Sequence, residues 1–339
     1  MPQRGGDVDR LLAARMEAIG RRMPVTGIRR LPHPGIDLYV KLETANPSGS
    51  AKDRAAYWIL REAVLRGEVT RDTTVVESSS GNFATALALF CRQLGVRFVP
   101  VLDPNVNAPV ERRLRELCNR VEKVDQPDDA GGYLLTRLRR VEGLIEEIGD
   151  AYWPNQYANP DGAQAHYELT GRELLDALGR VDYVFVGVGT GATIAGLSRR
   201  VTQPPNSGAV IAVDVEGSAI FGGRPHRRRI PGIGSSIRPP LVRQAVIADV
   251  VTVSEYDEVT GCYDLLREHS VFAGGSTGCV FTAIKRYFAD YRGPRQVVAF
   301  LCADSGEPYR DTIYDPDWVA ANIAPAGPLP AAVELTRPA

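Results

Sequence analysis

The order of apolar and polar residues predicts strands and helices in alternation along most of the chain. Apolar positions at helical spacing over residues 7–22 indicate an amphipathic helix. Alternating positions over 36–43 indicate a strand, and a polar loop at 46–50 separates it from a helix over 53–66. Further strands are predicted over residues 74–77, 97–102, 121–124, 183–186, 210–215, 250–253 and 296–302, and further helices over 83–94, 133–148, 193–200 and 278–291. Such alternation favours parallel sheets covered by helices, with ligands bound at the carboxyl ends of the strands.

The bulk composition excludes several classes of partner. The 339 residues carry a net charge of −1, so we expect neither nucleic acid nor a membrane surface as a partner. The five cysteines lack a C-x-x-C pair and the four histidines lack ligand spacing, so we expect neither a disulfide framework nor a metal site. Arg15 and Glu17 interrupt the segment where a signal peptide would need an apolar core, which favours a cytoplasmic protein.

Lysine is scarce in this chain. Only four of the 40 basic residues are lysine, namely Lys41, Lys52, Lys123 and Lys285. Where arginine would serve, the sequence uses arginine, so a retained lysine is enriched for work that arginine cannot do, such as forming an imine. Lys52 stands where a Gly/Ser/Pro loop meets a predicted helix, and both a helix N-terminus and burial lower the pKa of a lysine. A surface lysine beside a turn is the alternative interpretation.

The segment around Lys52 carries a long motif. Residues 46–54 read Asn-Pro-Ser-Gly-Ser-Ala-Lys-Asp-Arg and resemble the Asn-Pro-x-Gly-Ser-x-Lys-Asp-Arg motif of the cysteine synthase and cystathionine β-synthase family. The resemblance extends from about residue 20 to residue 323. It implies a fold type II pyridoxal phosphate enzyme in which Lys52 carries the cofactor as an imine. In that family the same lysine, freed by the substrate amine, acts as the general base at Cα.

The resemblance also implies a domain organisation. We expect an α/β protein with two three-layer αβα domains and mostly parallel sheets. A small mobile domain, residues 46–152, would be inserted into a large cofactor-binding domain made of residues 1–45 and 153–323. Residues 324–339 would form a loosely ordered tail. The protein would be a homodimer, with the cofactor in the cleft between the two domains of each chain.

The first of two glycine-rich segments consists of Ser79, Ser80, Gly81 and Asn82. It follows a predicted strand and opens a helix, where hydroxyls and free backbone N–H groups bind anions. The resemblance implies that this segment holds the α-carboxylate of the substrate and that Asn82 bonds to the ring oxygen of the cofactor. A plain helix N-cap, which Ser80 could also supply, is the alternative.

The second glycine-rich segment contains Gly189, Thr190, Gly191, Ala192 and Thr193. Residues 187–192 match the G-x-G-x-x-[GA] dinucleotide fingerprint, and Glu216 lies where a ribose-binding acid would be, so an NAD-dependent dehydrogenase is an alternative. The resembled family has Gly-Thr-Gly-Gly-Thr at this point. Backbone N–H groups at a helix N-terminus bind a single phosphate equally well. We therefore interpret the segment as the site of the cofactor phosphate, because the lysine loop has no role in a dehydrogenase.

Two C-terminal segments bear on the cofactor ring. Residues 274–278 resemble a Gly-Gly-Ser-x-Gly motif whose serine, here Ser276, meets the pyridine nitrogen in the cystathionine β-synthase branch. A neutral hydroxyl leaves the ring unprotonated, which suits β-elimination over transamination. Residues 303–309 depart from the Pro-Ser-Ser-Gly-Glu-Arg-Tyr of cysteine synthases, with Asp304 for a serine and Pro308 for the arginine. We expect Asp304 to be a structural loop acid, and the departure weighs against an ordinary cysteine synthase.

Accessory segments indicate the substrates. Residues 128–137, 152–159, 219–223 and 231–234 resemble the N-(2-amino-2-carboxyethyl)-L-glutamate synthases. Those enzymes join O-phospho-L-serine to the amine of L-glutamate and release phosphate, on a route to 2,3-diaminopropionate for siderophores and peptide antibiotics. The resemblance implies that Arg137 anchors a carboxylate of the second amino acid, since arginine offers a bidentate fork. It also implies that Gln156, with Tyr157 beside it, helps to hold the first substrate.

Several alternatives stay open at this point. Arg137 is also interpretable as a solvated helix residue, and the basic loop of Arg224, Arg227, Arg228 and Arg229 either steers an anionic substrate or is merely solvated. The chain would otherwise be a cysteine synthase acting on O-acetylserine or O-phosphoserine, for which sulfide needs no cationic anchor. A catalytically inactive, cofactor-binding regulatory protein is the alternative of another class, and the intact Lys52, Asn82 and Ser276 weigh against it.

Overall fold

The computed structural model describes residues 8–128 and 132–323. Its strands are β1 (Ile28–Leu31), β2 (Asp37–Leu42), β3 (Thr74–Ser78), β4 (Arg97–Leu102), β5 (Glu122–Lys123), β6 (Ala151–Tyr152), β7 (Tyr183–Gly187), β8 (Ala209–Val215), β9 (Asp249–Val253) and β10 (Val297–Cys302). Its helices are α1 (Arg10–Gly20), α2 (Lys52–Leu65), α3 (Asn82–Leu94), α4 (Ala108–Leu117), α5 (Leu134–Ile148), α6 (Pro160–Ala165), α7 (Arg172–Leu178), α8 (Ala192–Thr202), α9 (Glu255–His269), α10 (Gly275–Tyr287) and α11 (Pro316–Asn322). Each predicted strand and helix is found, with ends shifted by a few residues.

The larger sheet is the middle layer of three. Its strands run in the order β1-β2-β10-β7-β8-β9, and all neighbours are parallel except β1 and β2. Successive residues of a strand face opposite sides of a sheet. In β7, Phe185 packs with residues of α9 and α10, whereas Val184 and Val186 pack with residues of α7 and α8. The continuous apolar run of β7 therefore reflects burial on both faces.

The smaller sheet is built in the same way. Its strands run in the order β5-β4-β3-β6 and are all parallel. Val75 belongs to a core shared with α1 to α4, whereas its neighbour Val76 packs with residues of α5. The predicted α/β architecture is thus confirmed. Helix α1, which the sequence-based division assigned to the large domain, packs against α2 and α3; the division itself and the mobility of the small domain stay predictions.

A buried ionic cluster fixes the beginning of α2. The two terminal nitrogens of Arg54 donate to the two carboxylate oxygens of Glu173, each at 2.8 Å, and its Nε donates to Glu43 at 3.1 Å. Lys41 donates to Glu173 at 2.7 Å, and Thr26 donates to Glu43 at 2.8 Å. Two cations and two carboxylates balance, which is what burial of charge requires. Since Arg54 lies two residues after the first residue of α2, the cluster ties that helix to β2 and α7.

Two stretches bearing on the sequence predictions lie outside the described residues. They are the predicted tail, residues 324–339, and residues 129–131 of one motif. Across the described residues, no helix has the length and apolar character needed to cross a bilayer.

Candidate active site

A cavity of about 890 Å³ opens at the carboxyl ends of strands from both sheets. It brings together almost every site residue predicted from the sequence, which are Lys52, Ser79, Ser80, Gly81, Asn82, Arg137, Gln156, Tyr157, Gly189, Thr190, Gly191, Thr193 and Ser276. Ala192 is not among the residues lining it; this residue begins α8 and is 5% exposed. Its predicted part in cofactor binding is therefore confined to its backbone N–H.

Lys52 is the first residue of α2 and lines the cavity. The loop before it is anchored at both ends, because Ala51 N–H donates to the Ala303 carbonyl at 2.7 Å and Ser48 N–H donates to Asp53 at 2.9 Å. Burial lowers the pKa of Lys52, and the nearby Asp304 carboxylate acts in the opposite direction. A lysine with a lowered pKa has more of the neutral amine that attacks an aldehyde.

The Ser79–Asn82 segment caps α3 through a different serine from the one the sequence suggested. Ser79 Oγ accepts a hydrogen bond from Ala84 N–H at 3.1 Å, and Gly81 occupies the N-cap position. Ser80 instead donates its hydroxyl proton to Asp103 at 3.0 Å. The free N–H groups of the first turn of α3 remain directed at the cavity end of the helix, as an anion site requires.

Arg137 lies in a cluster with Ser80 and Asp103, here called the Asp103 cluster. Arg137 Nη1 lies 3.1 Å from Asp103 Oδ2 and donates to Ser80 Oγ at 2.9 Å. The arginine side chain is 12% exposed, so Arg137 is not a solvated helix residue. Its Nε is buried and has no hydrogen-bond partner among the described residues. The residue also lines the cavity, and a guanidinium there can form a charge-assisted, bidentate contact with a carboxylate.

Asp304 lies inside the cavity in contact with predicted site residues. Its Oδ2 accepts hydrogen bonds from Asn82 Nδ2 and from the Tyr309 hydroxyl, both at 2.8 Å. It is 4% exposed, and its Oδ1 has no partner in the described part of the chain. Burial raises the pKa of Asp304, while Asn82, Tyr309 and Lys52 act to lower it. The loop acid expected from the sequence thus orients the Asn82 amide.

The predicted phosphate loop joins β7 to α8. Gly191 precedes the helix with a φ of +92°, and a Cβ there would lie 2.9 Å from the backbone nitrogen of Val242. Thr193 in the first turn of α8 lies against a histidine: its Oγ1 is 3.2 Å from His166 Nε2, and His166 Nδ1 is 3.0 Å from Thr170 Oγ1. Burial lowers the pKa of His166 to about 3, so the ring is neutral and offers one donor and one acceptor.

Gln156 and Tyr157 line the cavity beside a buried acid. Gln156 donates from Nε2 to the Ser78 carbonyl at 3.1 Å and from its backbone N–H to Glu77 at 3.3 Å. Trp153 also donates to Glu77, at 3.3 Å. Burial raises the pKa of Glu77 to about 8, so this carboxyl is protonated at neutral pH. The amide nitrogen of Gln156 is engaged with the main chain, which leaves its oxygen for a ligand.

The basic loop is only partly solvated. Arg227, Arg228 and Arg229 line the cavity, whereas Arg224 is exposed and is not part of the lining. The Arg228 guanidinium donates to the Ile233 carbonyl, and burial lowers the pKa of Arg228. Arg228 is therefore a second cation directed at the cavity.

Three residues of the site escaped the sequence analysis. They are Asp103, Tyr309 and His166. Asp103 had an available signal, because it directly follows β4 and the carboxyl ends of parallel strands are where ligand groups gather. His166 had none, since it meets Thr193 only through the packing of its segment against α8.

Comparison with known proteins identifies the family. The family described as pyridoxal-phosphate dependent enzymes matches residues 17–303. This chain belongs to that family. A curated relative, the N-(2-amino-2-carboxyethyl)-L-glutamate synthase of Ralstonia nicotianae, is 41% identical over 285 residues, which make up 84% of each chain.

Solved structures show the same architecture. The O-acetylserine dependent cystathionine beta-synthase from Helicobacter pylori superposes with a TM-score of 0.78 at 27% identity, over 88% of this chain and 97% of the other. An O-ureido-L-serine synthase gives a TM-score of 0.78 at 27% identity, over 92% of this chain and 99% of the other. The protein is therefore a fold type II enzyme that uses pyridoxal phosphate, as the motifs predicted, and the dinucleotide interpretation of residues 187–193 is set aside.

The cavity suits this cofactor. The close approach of Val242 excludes a side chain at Gly191, and the bare backbone there leaves the N–H groups of the first turn of α8 accessible to a phosphate. Lys52 lines the same cavity, and burial lowers its pKa. The individual roles of the site residues stay predictions.

Proposed function

We propose that the enzyme joins O-phospho-L-serine and L-glutamate to give N-(2-amino-2-carboxyethyl)-L-glutamate and phosphate. The Ralstonia nicotianae relative with that name supports the assignment at 41% identity. The observation that carries it is Arg137: a largely buried guanidinium in the lining of the cavity suits a substrate carboxylate. A sulfide nucleophile would leave that group unsatisfied. We further propose that the product serves 2,3-diaminopropionate synthesis for a siderophore or peptide antibiotic, and that the protein is a cytoplasmic homodimer.

The residues around the first substrate take distinct parts in this proposal. When bound, pyridoxal phosphate supplies an electron sink for the Cα of the amino acid attached to it. Lys52 removes the proton from that Cα as general base and later returns it. The segment of Ser79, Ser80 and Gly81 at the start of α3 holds the α-carboxylate, and Gln156 and Tyr157 border it. Between the two proton transfers the Cβ–O bond breaks with loss of phosphate, and the amine of glutamate forms the new Cβ–N bond with loss of one proton.

The cofactor contacts follow from the predicted loops. Backbone N–H groups of residues 189–193 and the Thr193 hydroxyl hold the phosphate, Asn82 bonds to the ring oxygen, and the Ser276 hydroxyl meets the ring nitrogen. The domain carrying residues 46–152 closes over the bound substrate and excludes water from the reacting carbons. A change in small-angle scattering on saturation with phosphoserine would accompany that closure, and an unchanged profile would contradict it.

An absorbance titration tests the proposed reaction. O-phospho-L-serine added to the holoenzyme should shift the visible band of the bound cofactor, and L-glutamate should restore it, with the product identified by mass spectrometry. Restoration by sulfide but not by glutamate would make the protein a cysteine synthase. A visible band that responds to neither substrate would support the inactive regulatory protein.

The Arg137→Met variant tests the anchoring role separately. Loss of a charge-assisted carboxylate contact costs about 1.5–3 kcal/mol, so KM for glutamate should rise at least tenfold while the response to phosphoserine persists. Arg139→Met is the matched control, because Arg139 lies on the same helix but is exposed. Equal glutamate kinetics in the two variants would remove Arg137 from the acceptor site.

A further inference from the structure

The acid of the Asp103 cluster has no part in the function proposed above. Asp103 follows β4 directly and is 6% exposed. Its Oδ2 accepts from Ser80 at 3.0 Å and lies 3.1 Å from Arg137 Nη1, and its Oδ1 accepts from Asn105 N–H at 2.8 Å. The carboxylate is thus held rigidly at the cavity wall, next to the cation that is proposed to receive glutamate.

This pairing changes which ligands Arg137 can attract. A buried cation without a counter-ion would attract any anion, whereas the neighbouring carboxylate compensates its charge and repels an approaching anion. A zwitterion escapes the repulsion, because it brings a cation for Asp103 as well as an anion for Arg137. The ammonium and α-carboxylate of an amino acid are bonded to one carbon, so they can contact both members of a pair 3.1 Å apart.

The position of the cluster fits the second substrate. Ser80 contacts both charged members and belongs to the segment predicted to hold the first substrate's carboxylate. An amine held at Asp103 is therefore adjacent to the segment that is predicted to bind the first substrate. Lys52 and Asp304 also line the cavity but lie at the cofactor loops, and in the described part of the chain neither forms a hydrogen bond or ion pair with Asp103 or Arg137.

We propose that Asp103 is the specificity residue that selects a zwitterionic α-amino acid as the acceptor. Its carboxylate receives the ammonium group, and the guanidinium of Arg137, which lines the same cavity, receives the α-carboxylate. The inference rests on the proposed function, because it assumes that the second substrate is an amino acid. The acceptor must then carry an ammonium group, and dicarboxylates that lack one are rejected.

The Asp103→Asn variant tests this by two effects of opposite sign. The amide keeps the size and an oxygen acceptor for Ser80 but removes the charge. KM for L-glutamate should rise at least tenfold, because a hydrogen bond to a charged group is lost. Glutarate, which has both carboxylates but no ammonium, should bind the holoenzyme several-fold more tightly by calorimetric titration, because Arg137 is no longer compensated. Asp290→Asn, on the exposed loop after α10, is the control that removes the same charge elsewhere.

The outcomes separate the inference from the proposed function. A wild-type enzyme that does not use glutamate overturns both. If the wild type uses glutamate but the variant binds glutamate and glutarate unchanged, or binds both more weakly, Asp103 has at most a structural part and the inference alone fails. Loss of the phosphoserine-induced absorbance change in the variant would assign Asp103 to the first substrate and also overturn it.

Discussion

Replacement of Arg54 by methionine removes the central cation of the buried ionic cluster. Arg54 is 1% exposed and makes two hydrogen bonds of 2.8 Å to Glu173 and one of 3.1 Å to Glu43. In its absence Lys41 alone faces two buried carboxylates. The cluster would then hold one uncompensated negative charge at the base of the helix that carries Lys52.

The expected loss of stability follows from the burial of that charge. Removing one partner of a buried ion pair costs about 3–5 kcal/mol. With an unfolding entropy of roughly 2.1 cal/mol/K per residue, a chain of 339 residues should lose about 4–7 °C in Tm. Burial would raise the pKa of Glu43, and Arg54 with Lys41 and Thr26 more than offsets this in the wild type. Without Arg54 the folded-state pKa of Glu43 should rise above its ordinary value.

A raised folded-state pKa gives the loss a definite pH dependence. Below its unfolded pKa of 4.5 such a carboxyl is protonated in both states, so its burial costs little. As the pH rises through the folded-state pKa the buried group must ionise, and the free energy of unfolding falls. The deficit of Arg54→Met relative to the wild type should therefore be larger at pH 8 than at pH 5, measured by circular dichroism on thermal unfolding. Arg61→Met, on the same helix with a side chain 38% exposed, should lose less than about 1 kcal/mol. An Arg54→Met deficit no larger than that of the control, or equal at both pH values, would refute the reasoning.

Three further predictions concern Gly191 in the cavity lining and two buried residues that contact the lining, Glu77 and His166. Because the pKa of Glu77 is raised to about 8, the wild type should lose stability as the pH rises from 4.5 through 8, and Glu77→Gln should show a smaller loss between pH 5 and pH 9 in urea titrations. The pKa of His166 is lowered to about 3, so its contribution to the free energy of unfolding is present above pH 6.5 and is lost as the pH falls towards 3. In thermal unfolding, His166→Gln should therefore lose less stability than the wild type between pH 7 and pH 4. Gly191→Ala should weaken cofactor retention at least tenfold by equilibrium dialysis, because its Cβ would meet Val242, whereas Gly179→Ala has a similar φ of +68° with open space and should retain the cofactor.

Much of the fold could be predicted from local patterns because the principal strands of both sheets are buried on both faces. The run of β7 is apolar throughout, so it is visible in the sequence as a strand, and β3 is buried along its whole length. Strand β6 has only two residues and is defined by its pairing with β3. A pairing between distant segments cannot be predicted from a local pattern. Helix α9 was missed although it carries a capping box between Ser254 and Asp257.

The candidate site divides in the same way. The loops around Lys52, Ser79 and Gly191 are contiguous motifs, and their glycines and helix starts have a local physical meaning. The contacts that adjust them connect distant positions: Asp304 reaches Asn82 across 222 residues, and Arg137 reaches Ser80 across 57. Arg137 could be proposed as an anchor from the sequence, but its pairing with Asp103 depends on the packing of α5 beside β4 and was not predictable.

The scarcity of lysine was misleading for at least one of the four lysines. It favoured imine chemistry at any retained lysine, yet Lys41 is an ion-pair partner of Glu173 in the buried cluster. There the ammonium also donates to the carbonyl of Thr26 at 3.0 Å, a point contact that does not use the planar fork of an arginine. Composition therefore indicates that a retained lysine has a role arginine would not fill, but it does not indicate which role.

The attachment of the cofactor tests the central claim most directly. Holoenzyme treated with borohydride should keep one pyridoxyl group through denaturation, and peptide mass mapping should place it on Lys52. The assignment is sharp because the other candidates are only Lys41, Lys123 and Lys285. A pyridoxyl group on one of those three, or the absence of any reducible attachment in protein saturated with pyridoxal phosphate, would contradict the account.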